Sequence, residues 1–427
     1  MNWWFETDSE YAEELRWVDQ FLTEWVEPID HLVAQPYDVN DPRRRELIPP
    51  LQDEVRRHGF WACHLGPELG GAGYGQLRLA LLNELLGRSR SAPIVFGCQA
   101  PDSGNAEILA HFGTDALKRT YLEPLLAGRI MSAYAMTEPQ GGADPGVFTT
   151  TAVLDGDEWV ITGEKWFVSS ARWASFFIVL AVTEPDEPTV RRMSTFVVPA
   201  GTVGVEILRN VAVYGHDASG DGAHSYVRFD DVRVPADHLL GDRGGGFVVA
   251  QTRLGGGRVH HAMRTVGIVR KALDMLCERA LSRYTQGELL ANKQLVQEMI
   301  ADSWIELEQF RLLVLQTAWK IDRYQDYLKV RADISAVKAT MPTVLHNVAA
   351  RALQLHGSLG VSDEMPFGSM IMDAFSMGLA DGPTEVHKTT LARQVLRGRT
   401  PSPGLFPTGH LPAARAAALA QLGEIGA

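Results

Sequence analysis

Three cysteines in 427 residues, Cys63, Cys98 and Cys277, are too few and too scattered for a disulfide framework or a zinc site. Each is expected to be a small apolar core residue. The thirteen histidines include one adjacent pair, His260–His261, but no His-Glu-x-x-His or other ligand spacing, so no metal is expected. No apolar run reaches the length that spans a bilayer. Positive charge is scarce as well: 40 Lys and Arg against 52 Asp and Glu give a net charge of −12. That balance argues against nucleic acid as a partner and against an anionic membrane surface. The opening stretch MNWWFETDSEYAEEL is acidic and helical in pattern, unlike a secretory or transit signal, so a cytoplasmic location is expected. Nucleotide-binding glycine motifs are missing too. Neither GGAGYG (70–75) nor GDRGGG (241–246) spells G-x-G-x-x-G, and neither opens a helix after a strand. With no G-x-x-x-x-G-K-[ST] and no G-x-S-x-G, a nicotinamide Rossmann enzyme, a P-loop ATPase and an α/β-hydrolase are all disfavoured.

What is present is an α, β, α order, an α+β multidomain chain. Residues 1–132 are helical in pattern. Thr7 and Glu10 have capping-box spacing, and Tyr11, Leu15, Val18, Leu22 and Trp25 follow on one stripe. A second amphipathic stretch covers 108–128. From 133 to 247 the pattern turns to strands. Residues 149–170 alternate around Asp155-Gly156, a hairpin signal, and 176–182, 194–200 and 225–235 continue the β pattern as a barrel or sandwich. Helices return over 248–399. Met263, Val266, Val269, Leu273, Leu276 and Ala280 form a core stripe, and 293–320 and 331–357 predict two more long helices. The tail 400–427, rich in Pro, Gly and Ala, is expected to be loosely held.

Near the C-terminal end, ADGPTEVHKTTLAR (380–393) holds an Asp-Gly-Pro break before a helical pattern. Taken alone, Asp381 is a turn residue. Four other segments change its meaning. AYAMTEPQGGAD (133–144), GEKWFVSS (163–170), RYTQGELLANKQ (283–294) and LQLHGSLG (353–360) precede it in an order that resembles the acyl-CoA dehydrogenase family over roughly residues 10–395. APDSGN (100–105) and LADGP (379–383) are most similar to the 10/11-type branch of that family. The resemblance implies an N-terminal α domain, a central β domain and a C-terminal four-helix bundle. It also implies FAD as cofactor, an acyl-CoA substrate, an electron-transfer flavoprotein as electron acceptor, and a homo-oligomer, dimer or tetramer.

The same resemblance assigns roles. Asp381 takes the place of the family's glutamate base, and Leu379 and Ala380 are expected to give it an apolar neighbourhood that raises its pKa. Gly257 stands where some members carry a rival carboxylate, so none competes there. Arg258 and Gly382 fall on the substrate side. Met136 and Thr137 would meet the flavin ring, Gly142 and Ala143 its phosphates, and Phe167, Val168 and Ser169 its other face and N5 edge. Pro383 and Glu385 would lie near the flavin. Arg283, Gln294, Gln354 and Gly357 would reach the cofactor of the neighbouring subunit. Lys388 and the His260–His261 pair are expected to be exposed helix charges. A flavin oxidase on the same fold, similar to nitroalkane oxidases with their Asp base, and a non-catalytic FAD-binding relative are the competing expectations.

Overall fold

The computed structural model describes residues 7–67, 71–213 and 222–423. The first six residues of the opening helical pattern, Gly70 of the glycine-rich stretch and the last four residues of the tail lie outside that range. Among the described residues, seven α-helices come first: α1 (Ser9–Phe21), α2 (Pro42–Arg57), α3 (Gly75–Leu86), the single turn α4 (Ala92–Val95), α5 (Asp102–Phe112), and the short α6 (Asp115–Leu117) and α7 (Glu123–Leu126). The cap of α1 is Asp8, not Thr7: its carboxylate accepts from Tyr11 N at 2.9 Å. Tyr11, Val18 and Leu22 are buried as the stripe predicts, but Trp25 is 59% exposed and Val26 is buried instead. Leu22–Val26 is a π-helical turn, whose extra residue moves the stripe one position along. The stretch 108–128 is not one helix, because Gly113 ends α5 and the Thr114 hydroxyl caps the next at 3.2 Å.

Eight strands follow: β1 (Ser132–Ala135), β2 (Thr151–Asp155), β3 (Glu158–Ser169), β4 (Phe176–Val182), β5 (Met193–Pro199), β6 (Val205–Val211), β7 (His224–Pro235) and β8 (Leu239–Leu240). They form one sheet in the order β6-β7-β3-β2-β4-β5-β8, with β1 parallel to β4. The expected hairpin is β2–β3. Asp155 pairs with Glu158, so its two-residue loop is Gly156-Asp157, and Gly156 takes φ +67°. Every residue of β4 is buried, which explains its unbroken apolar run: both faces are covered. Between Lys165 and Val168 the β3–β7 ladder loses register, a bulge that places Phe167 at φ +59° and re-aims its ring.

The rest is helical: α8 (Gly246–Ser282), the small ribbon β9 (Tyr284–Thr285) and β10 (Glu288–Leu289), then α9 (Gln294–Tyr324), α10 (Arg331–His356), α11 (Phe367–Leu379), α12 (Thr384–Arg397) and α13 (Leu411–Leu422). The tail is therefore not wholly irregular. Its Ala-rich run folds as α13, which buries no residue within this chain. The predicted stripe on α8 is buried throughout. It packs in one continuous core with Val18, Phe21 and Leu22 of the N-terminal helices and with Leu307, Phe310, Val337 and Leu345 of α9 and α10.

Two devices lock α3 onto this core. Asp322 of α9 accepts from Gln76 N at 2.7 Å and Leu77 N at 2.8 Å, supplying from another helix the carboxylate that α3 lacks at its own start. At the α3–α8 crossing, a Cβ on Gly267 would lie 2.0 Å from Glu84 O, and one on Gly87 would lie 2.0 Å from Arg264 O. Gly267→Ala is expected to destabilise the chain by about 1–3 kcal/mol, because overpacking against backbone outweighs alanine's better helix propensity. A urea unfolding curve measures this; a more stable variant would mean the crossing is not so close.

Candidate active site

Asp381 lies in the turn between α11 and α12. Helix α11 ends at Leu379, Ala380 is extended, and Asp381 and Gly382 then take φ +55° and +99°. Aspartate tolerates the left-handed region better than glutamate does, and Gly382 has further need of its missing side chain: a Cβ there would sit 3.1 Å from His387 Nε2. The turn is pinned by two donors on one acceptor. Arg258 Nε donates to Asp381 O at 2.9 Å and His387 Nε2 faces the same carbonyl at 3.2 Å.

The carboxylate points back at α8. Its Oδ2 is 3.6 Å from where a Cβ on Gly257 would stand and 3.8 Å from His261 Nε2. The apolar surroundings expected from Leu379 and Ala380 are not there. Both are exposed within the chain, since the left-handed turn swings Asp381 inward and leaves them outside. Its neighbours are polar instead. Burial lowers Arg258 below the usual guanidinium range, with Asp381 opposing and Arg331 adding. Burial likewise pulls Lys338 down to about 8, with Asp381 opposing; its ammonium donates to Met377 O. His387 is lowered to about 4 by burial and by the Arg258 charge.

The histidine pair also departs from expectation. His260 is buried and its Nε2 faces Gln76 Oε1 at 3.1 Å, while His261 is 22% exposed and faces Asp381. Helix α8 is covered on these faces by α3 and by the Asp381 turn. Lys388 is exposed, as expected.

A polar wall extends the site along the glycine run of α8. The Tyr327 ring is 3.7 Å from a would-be Cβ on Gly255, and Glu107 Oε2 is 3.2 Å from one on Gly256. Burial raises Glu107 to about 7 against the Arg253 charge. APDSGN builds the support for this wall. Asp102 accepts from Ser132 N at 2.8 Å, Ser132 Oγ at 2.6 Å and Gln99 Nε2 at 3.0 Å. Asn105 donates to Ser132 Oγ and accepts from Arg253 Nε, both at 2.8 Å. Arg253 then stacks 4.0 Å from the Tyr134 ring centre. Burial pushes the Tyr134 phenol up to about 12, and its buried hydroxyl has no hydrogen-bond partner among the described residues.

The β-domain segments converge on a second cluster. Lys165 Nζ donates to Met136 O at 2.9 Å and Trp166 N to Thr137 O at 2.9 Å, so β3 fixes the loop after β1. Phe167 stacks on His224, with ring centres 4.4 Å apart, and stays 41% exposed; Ser169 Oγ and His224 Nδ1 are 2.9 Å apart. Val168 is buried in the β core, leaving only its backbone for a ligand. Gly142 and Ala143 lie in an exposed loop. Pro383 caps α12 and Glu385 occupies its first turn.

Arg283, Gln294, Gln354 and Gly357 are not brought to Asp381. All four are exposed; Arg283 caps the end of α8, Gln294 begins α9, and Gln354 and Gly357 end α10. From Arg258 to Arg283 the helical rise alone amounts to about 37 Å. His261, Lys338, His387, Glu107 and His224 were not singled out by sequence as site residues, because helix and strand packing, rather than any local motif, brings them there.

Comparison with known proteins agrees with this architecture. The acyl-CoA dehydrogenase N-terminal, middle and C-terminal domains match residues 10–129, 133–232 and 244–396. Acyl-CoA dehydrogenase family member 11 of Rattus norvegicus is 36% identical over 394 residues, 90% of this chain and 50% of that protein. The chain thus spans about half the length of such relatives. A Mycobacterium tuberculosis protein named as a candidate acyl-CoA dehydrogenase, FadE2, is 38% identical over 89% of this chain and 93% of its own length. The solved structure of a candidate acyl-CoA dehydrogenase from Mycobacterium abscessus superposes with a TM-score of 0.84 at 37% identity, covering 92% of this chain and 99% of that one. No helix among the described residues is long and apolar enough to cross a membrane. By its three matched domains and its relatives, the chain belongs to the acyl-CoA dehydrogenase family.

Proposed function

We propose that the protein is an FAD-dependent dehydrogenase that converts an acyl-CoA thioester to the trans-2-enoyl thioester and passes the electrons to an electron-transfer flavoprotein. The observation that carries this reading is the Asp381 carboxylate, held over the glycine run of α8 by a turn whose carbonyl faces both Arg258 and His387.

The β-domain cluster suits a flavin. Phe167 keeps an apolar ring exposed at a left-handed backbone position, backed by His224 and beside the Met136–Thr137 loop. FAD, when bound, supplies the acceptor for the two electrons and the β-hydrogen. Phe167 would cover one ring face, with Val168 contributing backbone, and the Ser169 hydroxyl would lie at the ring edge. Amides at Gly142 and Ala143 would serve phosphate. Pro383 and Glu385 would border the cofactor from α12.

Asp381 takes the α-proton: the Cα–H bond breaks, its electron pair stays with the substrate, and the proton becomes the carboxyl O–H. Arg258 and Gly382 shape the thioester side, and the Asp381 N–H polarises the thioester carbonyl. Arg283, about 37 Å along α8 from Arg258, and Gln294, Gln354 and Gly357 at the ends of α9 and α10 act on the cofactor of a second copy. The working unit is therefore a dimer or tetramer.

The test is an anaerobic titration of the purified holoenzyme with straight and branched acyl-CoAs. Flavin bleaching by at least one of them is the expected result. No bleaching by any acyl-CoA, with steady oxygen uptake on nitroethane, would replace this reading with a flavin oxidase.

A further inference from the structure

Gly257 and His261 are one helical turn apart and therefore share a face of α8. The Asp381 carboxylate sits over that face, with Oδ2 3.6 Å from the Cβ position of Gly257 and 3.8 Å from His261 Nε2. The glycine leaves the room and the imidazole lines it. Oδ2 stands just outside hydrogen-bond range of Nε2, and a small side-chain rotation closes the gap. The Asp381 main chain, meanwhile, is tethered through its carbonyl by Arg258 and His387. Those tethers fix the backbone and leave the direction of the carboxylate to other contacts.

We propose that His261 is a positioning residue for Asp381: its Nε2–H steers the carboxylate over Gly257 toward the substrate. This rests on Asp381 being the base. The charges of Arg253 and Arg264 from α8, Lys338 from α10 and Asp381 from the α11–α12 turn all act on the ring, Asp381 at 3.8 Å from Nε2. Burial, with Arg264 next, lowers His261 to about 4 against the pull of Asp381. The imidazole is therefore neutral at pH 7 and acts as a hydrogen-bond donor rather than as an ion-pair cation. The proton taken from the substrate stays on Asp381, and His261 remains neutral throughout.

The test compares wild type, His261→Phe, His261→Gln and Asp381→Asn as holoenzymes, using anaerobic bleaching by butyryl-CoA and octanoyl-CoA across pH. His261→Phe is expected to slow bleaching about tenfold and to move the acid limb of the profile up by about one pH unit, because a donor to the charged carboxylate is gone. His261→Gln, which keeps an N–H, is expected to recover most of the rate and the limb. A purely structural role would leave the acid limb in place.

A second readout needs neither flavin nor turnover: a double-mutant unfolding cycle of His261→Phe with Asp381→Asn in the flavin-free chain, expected to be non-additive. Should His261→Phe fold poorly, the Gln variant takes its place in that cycle. A wild-type pH profile in His261→Phe, or an additive cycle, overturns the proposal. Wild-type bleaching in Asp381→Asn overturns the base assignment itself, a result the histidine variants cannot mimic. If neither acyl-CoA bleaches wild type, the cycle alone decides the contact.

Discussion

Asp381→Asn is expected to slow anaerobic flavin bleaching by an acyl-CoA about 10²–10⁴-fold, the usual range for a positioned general base. FAD content should stay close to wild type. The amide has nearly the same shape, and asparagine tolerates the left-handed φ of +55° as aspartate does. The two donors to the main-chain carbonyl, Arg258 and His387, do not depend on the carboxylate. What the amide removes is the carboxylate charge that opposes the effect of burial on Arg258, Lys338 and His261. Asp381→Glu is the sharper companion. It keeps a carboxylate, yet adds a methylene where Oδ2 is already 3.6 Å from the Cβ position of Gly257. The longer side chain must fold back against α8, and glutamate is less at ease with positive φ. Its rate should therefore fall between those of wild type and the asparagine variant. An asparagine variant that bleaches at the wild-type rate would remove Asp381 from the chemistry.

How much of this was legible beforehand depends on whether a feature is local. The β2–β3 hairpin, the apolar run of β4 and the α8 stripe follow from turn chemistry and periodicity acting within a few residues. The exchange of Trp25 for Val26 in the core does not, because a π-turn is invisible to a 3.6-residue stripe. Asp381 is a special case. Asp-Gly-Pro signals a turn, and Asp381 does sit in one, with φ +55°. The same left-handed geometry that makes it a turn residue also aims its carboxylate at α8. The ordered motifs along the chain singled it out, together with the resemblance carried by LADGP (379–383) itself; its turn chemistry alone did not. Its partners His261, Lys338 and His387 come from three different helices, so no spacing announces them. The same holds for Phe167, whose exposed, left-handed placement depends on a bulge set by pairing with β7, a strand some 60 residues later in the chain.

Lys165→Met is the prediction with the largest cost to the fold: a loss of about 3–5 kcal/mol, the range seen when one partner of a buried ion pair is removed. Lys165 and Glu138 are both buried, 2.8 Å apart, with side chains 0% and 1% exposed. Burial pulls Lys165 down to about 8 even with Glu138 beside it. Burial would raise Glu138, but the Lys165 charge and the N–H donors of Thr149 and Thr150, at 2.7 and 3.0 Å, hold it at about 2. At neutral pH the pair is therefore charged. Because Glu138 sits below its ordinary 4.5, its share of stability is present above pH 4.5 and is lost as pH falls through 4.5 toward 2. Without the ammonium, the buried carboxylate loses its counter-ion and that loss begins at higher pH. Adding Glu138→Gln to Lys165→Met should recover part of the stability, since no unpaired charge is left. Urea unfolding of the flavin-free chain across pH measures both variants against wild type. The pair also reaches the site, because Lys165 Nζ holds Met136 O at 2.9 Å and Trp166 N holds Thr137 O at 2.9 Å. Lys165→Met should therefore lose FAD on gel filtration under conditions where wild type keeps it. Full FAD retention together with the expected instability would confine the pair to the β core. Loss of both would tie the stability of this domain to the Met136–Thr137 loop and to FAD retention.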